Sequence, residues 1–318
     1  MTTENVFRKW ISIENHYQEK WLSCWLKNYP ELNGEVFQIT EKLHGANFSI
    51  IVHNENVHFA SRNNIIEPDN NFYGFREVFK SANMTKLIDF LKKISKDKTY
   101  QLVGELYGGK IQKGVWYGKE KSFRWFGLYI NGELVSPKDT DNLLFSFQYL
   151  KVPVIRTDKV DDLSFLVSNF KTDFNSLLTP ENFEDENICE GVAIVPYNKV
   201  YRNQDSYFYI KKKNEKFKET QRSKKVRAEK ELSSDIKDII TDLSSYICGP
   251  RLEGLFSKFG RFEEKSKLGF YASKYFEDII QDFEKDSGDA FSKLEKEQQK
   301  IVSKAISKHI FADLLKEV

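Results

Sequence analysis

The hydrophobic periodicity of this chain changes once, near residue 233, and that change limits the fold more than any other feature. From about residue 36 to 210, short apolar runs are separated by turn residues, a pattern typical of antiparallel strands. From residue 233 onward, apolar residues recur at helical spacing after a Ser-Ser-Asp capping signal. The sequence therefore predicts an α+β protein in which the strands come first and the tail is entirely helical.

The individual elements follow from the same patterns. FSIIVHNENVHFAS predicts a hairpin that turns at residues 54–56, and further strands are predicted for TYQLVGELYGG, FRWFGLYI, NICEGVAIVPY and SYFYIKKK. SANMTKLIDFLKKISKD predicts one helix among them. In the tail, one helix ends at Gly249-Pro250, RLEGLFSKFG forms a second, and two more cover about 266–286 and 292–316. The predicted domains are residues 1–232 and 233–318.

The overall charge does not decide what this chain binds. With 318 residues it exceeds the usual size of one domain, and its 49 Lys and Arg nearly balance its 47 Asp and Glu. A preference for a polyanion must therefore come from local patches. The segment 211–230, with ten basic and three acidic residues, is either a solvated connection or a surface that faces phosphates.

The three cysteines are far apart and lack CxxC spacing, which argues against a disulfide framework and a zinc site and favours a reducing compartment. The first residues have no apolar signal core, and no apolar run approaches the length of a membrane span. We therefore expect an intracellular, cytoplasmic protein that is monomeric and has no membrane partner.

The lysine of EKLHGANF, Lys42, stands where a strand is about to begin. A lysine attacks phosphorus only as the neutral amine, and an ordinary pKa of about 10.4 leaves roughly one molecule in a thousand neutral near pH 7. Neighbouring cations or a bound divalent metal lower such a pKa. Lys211 and Lys213 are two apart on a predicted strand, hence on one face and about 6.6 Å from each other. Taken alone, Lys42 is more often a surface residue.

Four other residues are candidates for binding a ligand. Glu105 in GEL and Glu190 in EGVAIV each place a carboxylate beside glycine at a strand end, where it suits a sugar hydroxyl or a metal or is an ordinary strand-end residue. Arg62 follows the hairpin, and Phe126 lies in an aromatic cluster. Phe126 is a stacking platform or a core residue, and Arg62 is a phosphate ligand or a surface charge.

The order of EKLHGANF, SRN, VGELYGG, RWFGL, CEGVAIV and YIKKKN resembles the covalent nucleotidyltransferase superfamily, in particular the RNA ligase 2 family of phage RNA ligases and kinetoplastid RNA-editing ligases. KIQKGVWYG and RLEGLFSKFG also resemble that family. His44, in the third position of the lysine motif, points to this branch rather than to DNA ligases or capping enzymes. The resemblance covers nearly the whole chain.

The resemblance implies an antiparallel-sheet nucleotidyltransferase domain, ATP-grasp-like and typical of ligases, followed by a small helical RNA-binding domain. It implies an ATP-dependent RNA ligase that seals 3′-OH/5′-phosphate nicks in duplex RNA or an RNA:DNA hybrid, with ATP as co-substrate and Mg²⁺ or Mn²⁺. A phage or other viral protein acting in a host cell fits this description.

The resemblance also implies a role for each matching residue. Lys42 is the expected nucleophile, and His44 and Arg62 are expected around the phosphates. The expected nucleotide-binding residues are Glu41 and Asn47 in the pocket, Glu105 on the ribose, Phe126 on adenine, Glu190 at the metal, and Lys211 and Lys213 on the α-phosphate. In the tail, five basic residues cluster around one inter-helix turn and form either a surface for RNA phosphates or ordinary solvated side chains: Arg251, Lys258, Arg261, Lys265 and Lys267.

Two positions depart from the family pattern. Gly127 stands where an acidic residue is usual, and Val195 stands where a lysine is common, with Lys199 or Lys212 as candidates to replace that lysine. These departures keep open a degenerate RNA-binding module, which the retained Lys42 argues against. A DNA ligase or a capping guanylyltransferase is the other alternative, and the helical tail in place of an OB-fold argues against it.

Overall fold

A computed structural model describes residues 7–204, 206–217, 234–262 and 264–317. The chain divides into two compact units, Met1–Lys216 and Phe217–Val318. The expected boundary after residue 232 and the basic residues from 218 to 230 lie outside the described residues, so that boundary stays a prediction. Among the described residues, no helix is both long and apolar enough to cross a bilayer.

Among its described residues, the first unit has twelve strands and five α-helices. The strands are β1 (Glu14–Asn15), β2 (Val36–Lys42), β3 (Ala46–His53), β4 (Asn56–Ser61), β5 (Tyr100–Gly108), β6 (Lys121–Ile130), β7 (Glu133–Leu134), β8 (Val154–Lys159), β9 (Gly191–Pro196), β10 (Arg202–Asn203), β11 (Ser206–Tyr207) and β12 (Ile210–Lys213). The helices are α1 (Glu19–Asn28), α2 (Phe75–Val78), α3 (Ala82–Ile94), α4 (Pro137–Leu143) and α5 (Leu163–Asn169).

These strands form two five-stranded sheets and a short β10–β11 hairpin. The order is β1-β12-β9-β2-β8 in the first sheet and β4-β3-β5-β6-β7 in the second. All neighbouring strands are antiparallel except β1 and β12, which are parallel. The predicted class, an antiparallel-sheet domain followed by helices, is confirmed. SYFYIKKK forms two strands, β11 and β12, where one was expected.

The β3–β4 hairpin is confirmed, and its turn is formed by Asn54 and Glu55. Both residues have positive φ, 47° and 65°, as the central residues of a type I′ turn do. This turn suits the twist of the flanking strands. The register, in which His53 pairs with Asn56, fixes which side chains of β3 face the second layer of the unit.

The three largest apolar clusters among the described residues of the first unit hold its sheets and helices together. The second sheet packs one face against α2 and α3 through residues such as Phe48, Phe75 and Leu87. The first sheet packs against α1 and α5 through residues such as Trp25 and Leu163. A third cluster, which we call the Trp10 cluster, joins the sheets and consists of Trp10, Ile11, Val103, Tyr129, Leu134, Val195 and Tyr209. The site residues lie around this junction.

The second unit contains the four predicted helices, which are α6 (Ser234–Ser245), α7 (Gly249–Phe259), α8 (Leu268–Ser287) and α9 (Lys296–Leu314). Pro250 lies in the first turn of α7, where its missing N–H removes no helical hydrogen bond. α9 begins later than expected because Glu295 and Gln298 form a capping box. The apolar faces of all four helices meet in one core.

Candidate active site

Lys42 is the last residue of β2, where the chain leaves the first sheet for the second. Three residues, Leu43 to Gly45, connect β2 to β3. A Cβ atom at Gly45 would lie 2.3 Å from the carbonyl oxygen of Leu106, so this close approach to β5 requires glycine. The short crossing places Lys42 at the junction of the two sheets.

The Lys42 amine is bound to the carboxylate of Glu190, the residue just before β9. Its Nζ lies 2.8 Å from Oε1 and 2.7 Å from Oε2, and the Nζ of Lys213 lies 3.1 Å from Oε1. Strand register explains the convergence, since Lys42 pairs with Gly191 in β9 and Gly191 pairs with Lys213 in β12. The two lysines therefore reach Glu190 from the strands on either side of β9.

Glu190 is a buried, ionised carboxylate, with 3% of its surface exposed. Burial by itself raises its pKa, but the charges of Lys42 and Lys213 and a hydrogen bond with His44 hold the pKa of Glu190 well below its ordinary value. In this structure Lys42 is one partner of an ion pair. An attacking amine must first leave that pair.

His44 joins the group from the crossing segment. Its Nδ1 lies 3.3 Å from Glu190 Oε2 and its Nε2 lies 2.9 Å from the carbonyl oxygen of Lys113. The backbone N–H of His44 donates to the hydroxyl of Tyr117 over 2.9 Å. Lys113 and Tyr117 belong to the KIQKGVWYG segment, whose residues had no predicted role. The loop after β5 therefore orients His44. In the sequence, only the segment's likeness to the family indicated that this loop belongs to the site.

Asn47 and Glu105 face each other across β3 and β5, so their side chains share one face of the second sheet. Asn47 is 8% exposed, and its Oδ1 accepts no hydrogen bond from the part of the chain that the structure describes. The pKa of Glu105 is raised from 4.5 to about 8, because burial and the charge of Glu190 outweigh the opposing charges of Lys42 and Arg62. A protonated carboxyl and an unsatisfied amide oxygen suit a polar ligand such as a sugar.

The carboxylate of Glu41 contacts a different group of residues. Its Oε1 lies 2.5 Å from Ser176 Oγ, and its Oε2 accepts a hydrogen bond of 2.8 Å from the N–H of Leu177. Burial raises the pKa of Glu41, and these two hydrogen bonds partly offset that effect. Successive side chains of a strand point to opposite faces, so Glu41 does not share the face of Lys42. Its contact with a nucleotide stays a prediction, and the sequence did not indicate the 176–177 loop.

Lys211 lies two residues before Lys213 in β12, so the two side chains share a face, as the sequence predicted. Lys211 is partly buried and pairs with Asn15 of β1 and Ala193 of β9. Its position is therefore fixed by strands on both sides. Its contact with the α-phosphate stays a prediction.

Phe126 lies at a β-bulge in β6. Val103 of β5 pairs with Gly127, while the next residue of β5 pairs with Trp125, so Phe126 is the extra residue. The bulge separates two aromatic side chains: Trp125 is in the core against α2 and α3, whereas Phe126 is partly buried with its ring centroid 5.1 Å from that of Trp10. A partly exposed ring in this position can stack on a base.

Both departures from the family pattern lie at the Trp10 cluster. A Cβ atom at Gly127 would lie 2.2 Å from Cη2 of Trp10, so the indole ring occupies the space of a side chain at this position. Val195 is 7% exposed and belongs to the same cluster. An apolar cluster thus stands where the family pattern has an acid and a lysine.

Neither lysine considered as a replacement for Val195 takes its place. The amine of Lys212 donates to the carbonyl oxygens of Val167 and Ser168 at the end of α5. Lys199 is paired with Glu31 over 3.3 Å, and both side chains are exposed. The expectation was wrong because alternation along β12 turns Lys212 away from the face of Lys211 and Lys213.

Glu190 is also the predicted metal ligand. Across the described ranges of the chain, no group of three or more His, Cys, Asp or Glu could enclose a metal ion. Mg²⁺ is commonly held by one or two carboxylates, with waters and substrate phosphates as the other ligands. The ionised carboxylate of Glu190 fits that donor set, and its role as ligand stays a prediction.

Most of the basic cluster expected to face RNA is used inside the second unit. Arg251 is 2% exposed, with Nη1 2.5 Å from Asp278 and Nη2 3.0 Å from Asp282. Lys258 is also paired with Asp278, and Arg261 is paired with two glutamates. The expectation was wrong for Arg251, which is buried. Lys258 and Arg261 are partly neutralised by carboxylates of the same unit but keep exposed surface, so their contact with RNA stays a prediction. Lys265 and Lys267 are exposed and, among the described residues, have no carboxylate partner.

Fold and site together define a class of protein. A strand-end lysine held by a buried glutamate, at the junction of two largely antiparallel sheets, is the arrangement expected of a nucleotidyltransferase. The RNA ligase family model matches residues 35–213, and the model of the T4 RNA ligase 2 C-terminal domain matches residues 213–312. The chain belongs to the RNA ligase family, in its RNA ligase 2 branch.

Similar proteins include mitochondrial RNA-editing ligase 1 of Trypanosoma brucei brucei, 29% identical over 48% of this chain and 43% of that protein. The chain therefore spans less than half the length of this relative. A Naegleria gruberi RNA ligase variant with ATP and Mn has a TM-score of 0.49 and 16% identity, covering 67% of this chain and 57% of that one. Another, with AMP and Mn, has a TM-score of 0.47 and 19% identity, covering 66% and 58%.

Proposed function

We propose that this chain is an ATP-dependent RNA ligase that joins 3′-OH and 5′-phosphate ends at nicks in duplex RNA or an RNA:DNA hybrid, through lysyl-AMP and adenylylated RNA. The observation that carries the proposal is the Lys42 amine, 2.7 Å from the buried carboxylate of Glu190, with Lys213 on the same carboxylate. Membership of the RNA ligase family supports the reaction class.

In the first reaction, the nitrogen of Lys42 attacks the α-phosphorus of ATP. An N–P bond forms, the bond from the α-phosphorus to the bridging oxygen breaks, and pyrophosphate leaves. The amine must first lose a proton and leave Glu190. Lys213, 11% exposed, stays as a fixed cation beside the phosphates, where preorganised charge stabilises the transition state.

The other residues would bind the nucleotide. Phe126 would stack on adenine, and Asn47 and Glu105 would bond the ribose hydroxyls, since their polar atoms lie on one face of the second sheet. A Mg²⁺ or Mn²⁺ ion held by Glu190 would supply further neutralisation of phosphate charge. Arg62 would act on the phosphates from the end of β4.

Two transfers complete the proposed sequence. An oxygen of the RNA 5′-phosphate attacks the phosphorus of lysyl-AMP, the N–P bond breaks, and the lysine nitrogen regains a proton. The oxygen of the 3′-hydroxyl then attacks the RNA 5′-phosphorus and loses its proton, and AMP leaves as the phosphodiester bond forms. His44 is placed to orient the groups around Glu190 in these steps.

The first reaction is tested by incubating the protein with a divalent metal and either α-labelled ATP or α-labelled GTP. We expect label on the protein with ATP alone, and none on Lys42→Ala, whose side chain is partly exposed and contributes little packing. Label from GTP would favour a capping enzyme. An adduct that persisted in Lys42→Ala would exclude Lys42 as the nucleophile.

The substrate is tested with three labelled RNAs. They are a duplex with one nick, a duplex in which the bridging strand leaves a gap of one nucleotide between the two ends, and the single strands alone. Sealing requires both ends to be held near each other, which a bridging strand supplies. We expect the nicked duplex to be sealed fastest. Equal rates on the single strands would contradict the nick as the substrate.

A further inference from the structure

α9 carries a row of lysines on the face that points away from the core of the second unit. The row, called the α9 lysine row below, consists of Lys296, Lys300, Lys304 and Lys308, all exposed and spaced four residues apart. The buried residues of α9 have the same spacing and are Val302, Ile306, Ile310 and Leu314. An offset of two residues rotates a side chain by about 200° around a helix, so the row lies opposite the buried residues.

The α9 lysine row does not stabilise the helix that carries it. Like charges four residues apart destabilise a helix by roughly 0.2–0.5 kcal/mol per pair. Lys300 is paired with Glu297 over 2.7 Å at an exposed position, where an ion pair contributes little. Lys296, Lys304 and Lys308 form no ion pair with any residue in the described ranges. The fold leaves their mutual repulsion largely uncompensated.

Most other cations in the described part of the second unit have carboxylate partners. Arg251, Lys258 and Arg261 on and after α7 are all paired with carboxylates, and so are Lys274 and Lys285 of α8. Neutralised side chains of this kind attract a polyanion weakly. The α9 lysine row is thus the longest run of exposed, largely unpaired cations among the described residues of the second unit.

The geometry of the row suits a linear polyanion. A rise of about 1.5 Å per residue places successive lysines about 6 Å apart along the axis and makes the row about 18 Å long. Ser303 and Ser307, three residues after Lys300 and Lys304, border it with hydroxyls. RNA duplexes are bound mostly through phosphates and 2′-hydroxyls, which are the partners of ammonium and hydroxyl groups.

We propose that the α9 lysine row is the surface with which the second unit binds the phosphate backbone of duplex RNA. The identity of the ligand as RNA rests on the proposed ligase function. The site of binding rests on the exposure, spacing and missing partners of the lysines themselves. In this proposal the row, rather than Arg251, Lys258 and Arg261, supplies the electrostatic contact.

The test compares two full-length variants with equal charge change. The row variant is Lys296→Gln/Lys304→Gln/Lys308→Gln. The control is Lys265→Gln/Lys267→Gln/Lys274→Gln, which removes the two exposed lysines of the basic cluster that the sequence places at the inter-helix turn and one partly exposed lysine of α8. The probe is a labelled RNA duplex with one central nick, titrated without nucleotide at several salt concentrations. Lysyl-AMP formation and thermal melting are measured on the same preparations.

Each phosphate contact contributes about 0.7–0.9 to the slope of log K against log salt. The row variant is expected to lose roughly 2–3 units of slope and at least tenfold in duplex affinity near 0.1 M salt, with wild-type lysyl-AMP formation. The control is expected to lose less than one unit. Removal of like charges predicts that the row variant melts no lower than the wild type.

Three results would overturn the proposal: unchanged affinity and slope in the row variant, an equal loss in the control, or an affinity loss that accompanies a lower melting temperature. Unchanged affinity and slope would indicate that the α9 lysine row binds an acidic protein partner instead of RNA. Failure of the ligase function is recognised separately, since a wild-type protein that forms no lysyl-AMP contradicts that function whatever the variants do with the duplex.

Discussion

Replacing Glu190 with glutamine is expected to destabilise the first unit strongly at neutral pH and weakly in acid. The carboxylate is 3% exposed and is bound to Lys42, Lys213 and His44. Glutamine keeps the shape but leaves two lysines facing each other without an anion. Breaking a buried ion pair by removing one partner costs about 3–5 kcal/mol, and because Lys42 is 26% exposed we expect about 2–4 kcal/mol.

The pH dependence follows from the direction of the pKa shift. The pKa of Glu190 in the folded protein lies well below the ordinary value of 4.5, so the ionised carboxylate stabilises the fold fully above that ordinary value. This contribution is lost as the pH falls through the lower, folded pKa. The difference between wild type and Glu190→Gln should therefore be constant from pH 6 to 8 and shrink below about pH 4.5.

Glu105→Gln serves as a control of opposite sign in the same pocket. The pKa of Glu105 is raised by burial from 4.5 to about 8, so its stabilising contribution is present below 4.5 and is lost as the pH rises through about 8. Glutamine does not ionise, so the variant should gain on the wild type between those values. Because the side chain is partly exposed, the gain is expected to be about 1–3 kcal/mol.

Urea unfolding followed by tryptophan fluorescence measures both effects, with EDTA and without nucleotide. All five tryptophans precede residue 217, so the signal reports the first unit alone. Equal stability of Glu190→Gln and wild type at pH 7 would refute the buried ion-pair account. Shifts of the two variants in the same direction with rising pH would refute the assignment of opposite pKa shifts.

Three further predictions concern single contacts. Lys213→Ala and Lys211→Ala should each slow lysyl-AMP formation because a fixed cation that would stabilise the phosphate charge is lost, with the larger effect at Lys213; unchanged rates would contradict this. Gly127→Ala should destabilise the first unit by about 1–3 kcal/mol through overpacking against Trp10, and a double-mutant cycle with Trp10→Ala should be non-additive. Arg251→Ala should lower the free energy of unfolding of the second unit by about 3–5 kcal/mol without changing lysyl-AMP formation. Calorimetry measures the stability, and labelling measures lysyl-AMP.

The parts of the fold that the sequence predicts depend on short-range patterns. The β3–β4 hairpin needs one turn and two alternating runs, and α9 needs a helical period with a cap. The split of SYFYIKKK into two strands was missed because the pairing of β12 with β9 and β1, rather than its own composition, determines where it begins. The helix Glu19–Asn28 was not predicted, and its tryptophans, Trp21 and Trp25, pack on Phe208, far away in the sequence.

The site was predicted as a set of residues but not as an arrangement. Lys42 and Glu190 are 148 positions apart, and their ion pair depends on the register of three strands. The prediction that Arg251 faces RNA was wrong for a related reason. The sequence shows a cation, but only the packing of α8 brings Asp278 and Asp282 into contact with it. A sequence gives the charge of a side chain, whereas its partner comes from the tertiary packing.

Gly127 and Val195, read separately, argue for a site that has lost function. Together with Trp10, the two residues replace the polar side chains of the family pattern by one apolar contact. The indole ring fills the space beside Gly127 and packs in the cluster that contains Val195. The same ring lies 5.1 Å from Phe126, the residue expected to stack on adenine. A degenerate site would leave unfilled space or unpaired charge at such positions. Here the exchange leaves a packed support for Phe126 and does not touch the pairing of Lys42 and Lys213 with Glu190, which favours a working ligase over a binding module.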